Sequence, residues 1–215
     1  MKTKAKKYFN DLFDQYPALK QSKHDIFSAF SILVTCYKKG GKLLVCGNGG
    51  SAADSEHIVG ELMKEFRIKR PVTSSMANRL KSIESKNSDY IFQGLQQALP
   101  AISLVSQISL FTAYANDVDV NMTFAQQVYG YAQANDVLLA ISTSGNSPNV
   151  CNAAHVARAL DIPVIGLTGE NGGNLAKFCT VIVAAPSSHT YSIQEYHLPI
   201  YHTICLALEE EFFGT

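Results

Sequence analysis

Residues 42–66 read KLLVCGNGGSAADSEHIVGELMKEF, and this stretch decides the fold. Leu43-Leu44-Val45-Cys46 is a short apolar run without helical spacing, which reads as a buried strand. Gly47-Asn48-Gly49-Gly50 ends it with residues that accept positive φ and let a ligand approach the backbone. Ser51 and Asp54 are the expected caps of an amphipathic helix that follows. Strand, glycine turn and helix N-terminus together predict an anion site, because free N–H groups and the positive dipole end meet there. His57 and Glu61 stand at i and i+4 on that helix, so an imidazole and a carboxylate share one face.

Working outward, the alternation continues. Residues 4–39 read as one long helix or two joined ones, broken at Pro17 and rich in aromatic residues such as Phe9, Phe13, Phe27 and Phe30. Either the chain's own sheet or a neighbouring subunit must cover that surface. Further strands are expected at 101–105, 137–141, 163–168 and 179–184, with helices between them and a last helix over 192–213. Residues 67–100 carry a weaker signal. Lys69, Arg70, Pro71 and Thr73 to Ser75 read as a polar surface segment, and Ile91, Leu95 and Leu99 mark a short helix. Alternating strands and helices predict an α/β fold with a parallel sheet, whose ligands bind beyond the carboxyl ends of the strands.

Composition narrows the class. The chain has 215 residues, enough for a single domain with a substantial core, and 47% of them are hydrophobic. Eighteen basic residues balance eighteen acidic ones, which gives no sign of a nucleic-acid or membrane partner. Lys2, Lys4, Lys6 and Lys7 read as a solvated helix start. The five cysteines (Cys36, Cys46, Cys151, Cys179 and Cys205) are scattered and form no C-x-x-C pair, so reduced core thiols of a cytoplasmic protein are expected.

A second turn, Ser142-Thr143-Ser144-Gly145-Asn146-Ser147, precedes Pro148 at a helix start. Its four hydroxyls can supply donors to a phosphate, with Ser147 alone as the N-cap being the plainer alternative. It lacks the lysine of a nucleoside-triphosphate loop. Gly47, Gly49 and Ala52 satisfy a dinucleotide fingerprint, but the acidic residue expected about twenty positions on is missing, and Arg67, Lys69 and Arg70 stand there instead. On the last helix Gln194, Glu195, His197 and His202 offer metal or proton-transfer groups. At ~100° per residue Glu195 aligns with His202 better than Gln194 does, which favours Glu195 on geometry alone and leaves the choice between them open.

Taken together, the 47–54 turn, His57, Glu61, Asn116-Asp117, the 142–147 turn, Leu167-Thr168-Gly169 and Gln194-Glu195-x-His197 with His202 resemble the phosphoheptose isomerase family. These are sugar isomerase (SIS) domain proteins. The resemblance spans nearly the whole chain, in order, and implies one SIS domain over 1–215, with a helical segment at 1–40 and an insertion at 71–100. It implies a five-stranded parallel sheet flanked by helices, a flavodoxin-like three-layer sandwich with long N- and C-terminal helices. It implies phosphate held by Ser51, Ser142, Thr143, Ser144 and Ser147, with further substrate contacts from Asn48, Gly49, Gly50, Asn116, Asp117 and Gln194. Glu61 would be the catalytic base and His202 the acid. His57, Glu61, Gln194 and His202 would hold zinc, with no organic cofactor, in a homotetramer whose sites lie between subunits. The implied reaction converts sedoheptulose 7-phosphate to an aldose phosphate through an enediol(ate). A noncatalytic phosphosugar binder and an isomerase of another phosphosugar are the rival readings. Two features depart from the family: the insertion, and Tyr191 and Ser192 where an acidic residue and an arginine are usual.

Overall fold

The computed structural model describes residues 1–84 and 86–214. Helices α1 (Thr3–Gln15) and α2 (Lys23–Lys38) flank a 3-10 segment, Pro17–Ser22, so the break at Pro17 falls where a residue lacking an N–H must end the first helix. Strand β1 (Leu43–Gly47) leads into α3 (Gly50–Met63). Helices α4 (Ser74–Ile83) and α5 (Ser88–Gly94) occupy the stretch read as an insertion. Then come β2 (Ala101–Ser103), α6 (Ile108–Tyr114), α7 (Thr123–Tyr131), β3 (Val137–Ser142), α8 (Pro148–Ala159), β4 (Val164–Thr168), β5 (Val181–Ala184) and α9 (Thr190–Phe213).

The five strands form one parallel sheet in the order β2-β1-β3-β4-β5. Every residue of β1, β3 and β4 is buried, as strands covered on both faces must be. Alternate residues serve opposite layers. Leu43 and Val45 join α1, α2, α3 and α9 on one face, while Leu44 and Cys46 join α7 and α8 on the other. The chain moves outward from β1 to β2 and returns to the far side of β1 as β3. The turns after β1 and β3 therefore leave the sheet side by side, at the crevice where strand order reverses.

The aromatic N-terminus is covered within the chain: Phe9 and Phe13 are buried, and α1 lies on α9. Cys36, Cys46 and Cys205 are buried and Cys151 and Cys179 partly so, all unpaired. Burial raises the Cys36 thiol to about 12, and the Asp136 carboxylate adds to the shift. Among the described residues no helix is long and apolar enough to cross a membrane.

Two expectations are corrected here. Arg70 is buried, not part of a polar surface segment, because it pairs with Glu209 of α9. Ser51 and Asp54 do not cap α3: Gly49 holds the cap position, at φ 56° and ψ −120°. That conformation suits glycine, and it lets the chain turn into the helix directly from the strand.

His197 ties α9 to the sheet. It is fully buried and donates from Nε2 to the Thr168 carbonyl at 3.1 Å. Burial lowers its pKa from 6.5 to about 4, against the opposing effect of that hydrogen bond. Between those values the unfolded chain binds a proton that the folded chain excludes. Stability should fall as pH drops from about 6.5 towards 4, by about 3 kcal/mol in total, and stay level above that window. Thermal melts at pH 7 and 4.5 should show a smaller acid loss in His197→Gln than in wild type. Equal losses would contradict the assignment.

Candidate active site

A pocket of about 290 Å³ opens at the crevice between β1 and β3. Asn48 to Ser51 line it from the start of α3, Ser142, Thr143 and Ser147 from the start of α8, and Thr190 and Gln194 from the start of α9. Three helix N-termini thus aim their positive ends into one space whose lining holds no charged side chain. Ser147 occupies the N-cap position of α8, but its hydroxyl does not cap. It faces the Ser142 hydroxyl at 3.1 Å, which leaves both free to turn towards a bound anion. A Cβ on Gly50 would lie 2.5 Å from the Gln194 amide nitrogen, so the absence of a side chain there seats Gln194 on the backbone.

Asn149 escaped the reading of the sequence. Its amide exchanges two hydrogen bonds of 2.9 Å with Asn48, locking the turn after β1 to the start of α8. The only trace in the sequence was an amide next to Pro148. Ser144 is exposed and accepts from the Asn146 N–H at 3.1 Å, outside the pocket lining. Asn116 and Asp117 lie on a π-helical turn, Ala115–Asp119, exposed and paired with each other at 2.9 Å. They do not reach this pocket within the chain.

A second cluster lies farther along α3 and α9. His57 Nε2 stands 3.2 Å from Glu61 Oε1 and 3.3 Å from His202 Nε2. One ligand atom from each of the three falls within 4.8 Å of the others. The Tyr201 hydroxyl donates to Asp54 Oδ1 at 3.2 Å and so accepts from His57 Nδ1 at 2.9 Å. This fixes the tautomer of His57, with its Nε2 lone pair aimed at the other two groups. A lone pair and a carboxylate oxygen at that separation repel unless a proton or a cation lies between them. Glu61 Oε2 is buried without a hydrogen bond, and Lys64 Nζ, at 3.6 Å, is too distant to supply one. The donor set therefore fits a divalent metal ion with nitrogen and oxygen preferences. His202 is pushed below the usual histidine range, first by burial and then by His57, with Glu61 opposing.

Glu195 is exposed and not part of this cluster, so the helix-wheel preference for it is overturned. The wheel ranks directions on α9 alone, whereas the partner of His202 is supplied by α3. Gly50 meets Gln194, and His57 meets Tyr201 and His202, so the two helices run side by side in the same sense. At ~1.5 Å per residue, the offsets from Gly50 to His57 and from Gln194 to His202 put the cluster about 11 Å from the pocket.

Comparison with known proteins gives this arrangement a lineage. The SIS domain family model matches residues 7–98 and 91–169. The phosphoheptose isomerase of Pelobacter propionicus is 40% identical over 182 residues, covering 85% of this chain and 82% of that protein. The chain belongs to the phosphoheptose isomerase family of SIS domain proteins. Solved phosphoheptose isomerases share its fold. The Francisella tularensis structure aligns with a TM-score of 0.73 at 29% identity, covering 98% of this chain and 100% of that one. The Neisseria gonorrhoeae structure aligns with a TM-score of 0.69 at 30% identity, covering 96% and 92%. The sheet order and the helical termini are thus those of phosphoheptose isomerases.

Proposed function

We propose that this chain, acting as one SIS domain, isomerises sedoheptulose 7-phosphate to the corresponding aldose phosphate, with Glu61 as base and His202 as acid. The observation that carries the reading is the spacing of the two clusters. An uncharged anion pocket and a carboxylate–imidazole group stand about 11 Å apart on one pair of parallel helices. That is about the reach of an extended seven-carbon sugar from its terminal phosphate to its carbonyl end. Ser51, Ser142, Thr143 and Ser147 hold the phosphate, with Ser144 at the exposed edge of the same turn and Asn48, Gly49, Gly50 and Gln194 on the adjoining oxygens.

With the phosphate seated, Glu61 takes the C1 proton of the ketose and returns it to C2, while His202 moves a proton between the two oxygens. The proton lost from one carbon is gained by the other, and nothing else is consumed. Zinc is assigned to His57, Glu61 and His202, where it would supply positive charge to the sugar oxygens; Gln194, expected as a fourth ligand, is instead seated on Gly50 at the pocket end of the helix pair and is kept as a substrate contact. No organic cofactor is required for this chemistry. Asn116 and Asp117, exposed and away from the chain's own pocket, are assigned to sites formed between subunits of a cytoplasmic homotetramer.

Incubation with sedoheptulose 7-phosphate, followed by NMR, should show the aldose phosphate, and five-carbon ketose phosphates should react far more slowly. Equal turnover of the shorter sugars would refute the heptose assignment, and no turnover would leave a phosphosugar binder. Tyr201→Phe tests the metal assignment separately. Losing the hydroxyl that orients His57 should weaken zinc binding by about 10- to 100-fold in competition with a chromophoric chelator. Unchanged affinity would place the ion elsewhere.

A further inference from the structure

In the buried Arg70–Glu209 pair, Arg70 stands nine residues beyond Glu61 and Glu209 seven beyond His202, and the contacts of the pair converge on the groups assigned to catalysis. Both side chains are essentially inaccessible to solvent, at 0% and 1% exposure. Arg70 donates from Nε to Glu209 Oε1 at 2.9 Å, and its Nη2 lies 2.7 Å from the same oxygen. Its remaining donors go to the end of α3: Nη1 to the Leu62 carbonyl at 2.7 Å and Nη2 to the Glu61 carbonyl at 3.3 Å. A guanidinium suits this task because its planar fork serves a carboxylate and two carbonyls at once, which an ammonium cannot do with the same geometry.

Glu209 completes the hold from the α9 side. Its Oε1 accepts from the Phe66 N–H at 2.7 Å, and its Oε2 from the Arg67 and Ile68 N–H groups at 2.8 and 3.2 Å. The Phe66 ring lies against His202, with centroids 5.5 Å apart. One ion pair therefore fixes the backbone that carries Glu61 and the ring that braces His202. We propose that Arg70 and Glu209 are positioning residues that set the separation between the base and the acid. This rests on the reading that Glu61 and His202 move the proton.

The pair also takes in the foot of the 71–100 excursion. The Gln97 N–H bonds to the Arg70 carbonyl at 2.7 Å, and Pro71 and Gln96 form an antiparallel bridge. The excursion is thus seated on the same end of α3.

Arg70→Lys keeps the charge and loses the fork. A displacement of about 1 Å at the reacting groups should lower kcat for sedoheptulose 7-phosphate by about 10²-fold. KM should stay within about twofold, because the anion pocket lies at the other end of the helix pair. A folded Arg70→Lys enzyme with wild-type kcat, or one whose KM rises in step with the loss of kcat, would overturn the inference. Should Arg70→Lys not fold, Phe66→Leu decides. It leaves the ion pair in place and removes the brace on His202, so unchanged kcat in that variant would overturn the proposal. Glu61→Gln separates the two levels. Wild-type turnover there defeats the assigned chemistry itself, whereas an inactive Glu61→Gln beside an unimpaired Arg70→Lys defeats only the positioning role.

Discussion

Glu61→Gln is expected to lower kcat for sedoheptulose 7-phosphate by about 10²- to 10⁴-fold, the usual contribution of a placed general base. The amide keeps the size of the side chain but cannot take a proton from carbon. Phosphate affinity should hardly change, because the pocket at the start of α3 does not include this residue. The melting temperature should hold or rise, since Glu61 Oε2 is buried without a hydrogen bond and an amide there carries no charge to desolvate. Zinc binding should weaken, as an amide is a poorer ligand than a carboxylate. Steady-state kinetics, an inorganic phosphate titration, a thermal melt and a zinc titration against a chromophoric chelator would check all four. Activity within tenfold of wild type would remove Glu61 from the mechanism.

Glu209→Leu should have the largest effect on stability of any single change considered. It leaves a guanidinium buried without its carboxylate and deprives the Phe66, Arg67 and Ile68 N–H groups of their acceptor. Breaking one side of a buried pair costs about 3–5 kcal/mol, a fall in Tm of roughly 10 °C for a chain of this length. The Lys81–Asp89 pair gives the contrast. Its partners are 55% and 70% exposed, and Asp89→Ala should leave Tm almost unmoved despite a separation of 3.0 Å. Denaturant melts of the two variants would test the difference. Similar small losses in both would mean that water reaches the Arg70 pocket.

What could be read without coordinates follows from which interactions are local. Strands β1, β3 and β4 showed themselves because a strand buried on both faces must be a continuous apolar run, and Gly47 and Ser142 punctuated their ends. His57 and Glu61 were legible for the same reason, since a spacing of four residues is a contact within one helix. Helix α4 was missed because none of its described residues is buried, so no core-facing stripe marked it. Arg70 was misread because the residue that neutralises it stands 139 positions later. Glu195 was preferred over Gln194 because a wheel cannot show that Gln194 leans onto Gly50 while His202 turns to α3. Local periodicity reveals the elements; the pairings between distant helices that build the site do not register in it.

The proposed anion pocket would draw its attraction from oriented backbone and hydroxyls, with no lysine or arginine in its lining. Dipoles lose their pull over a few ångströms, so a passing phosphate gains little until it is already inside. Such a receptor selects by shape at close range and gives no special advantage to heavily charged competitors such as nucleotides. On a chain whose formal charge sums to zero, the rate of sugar-phosphate capture should then vary little with ionic strength.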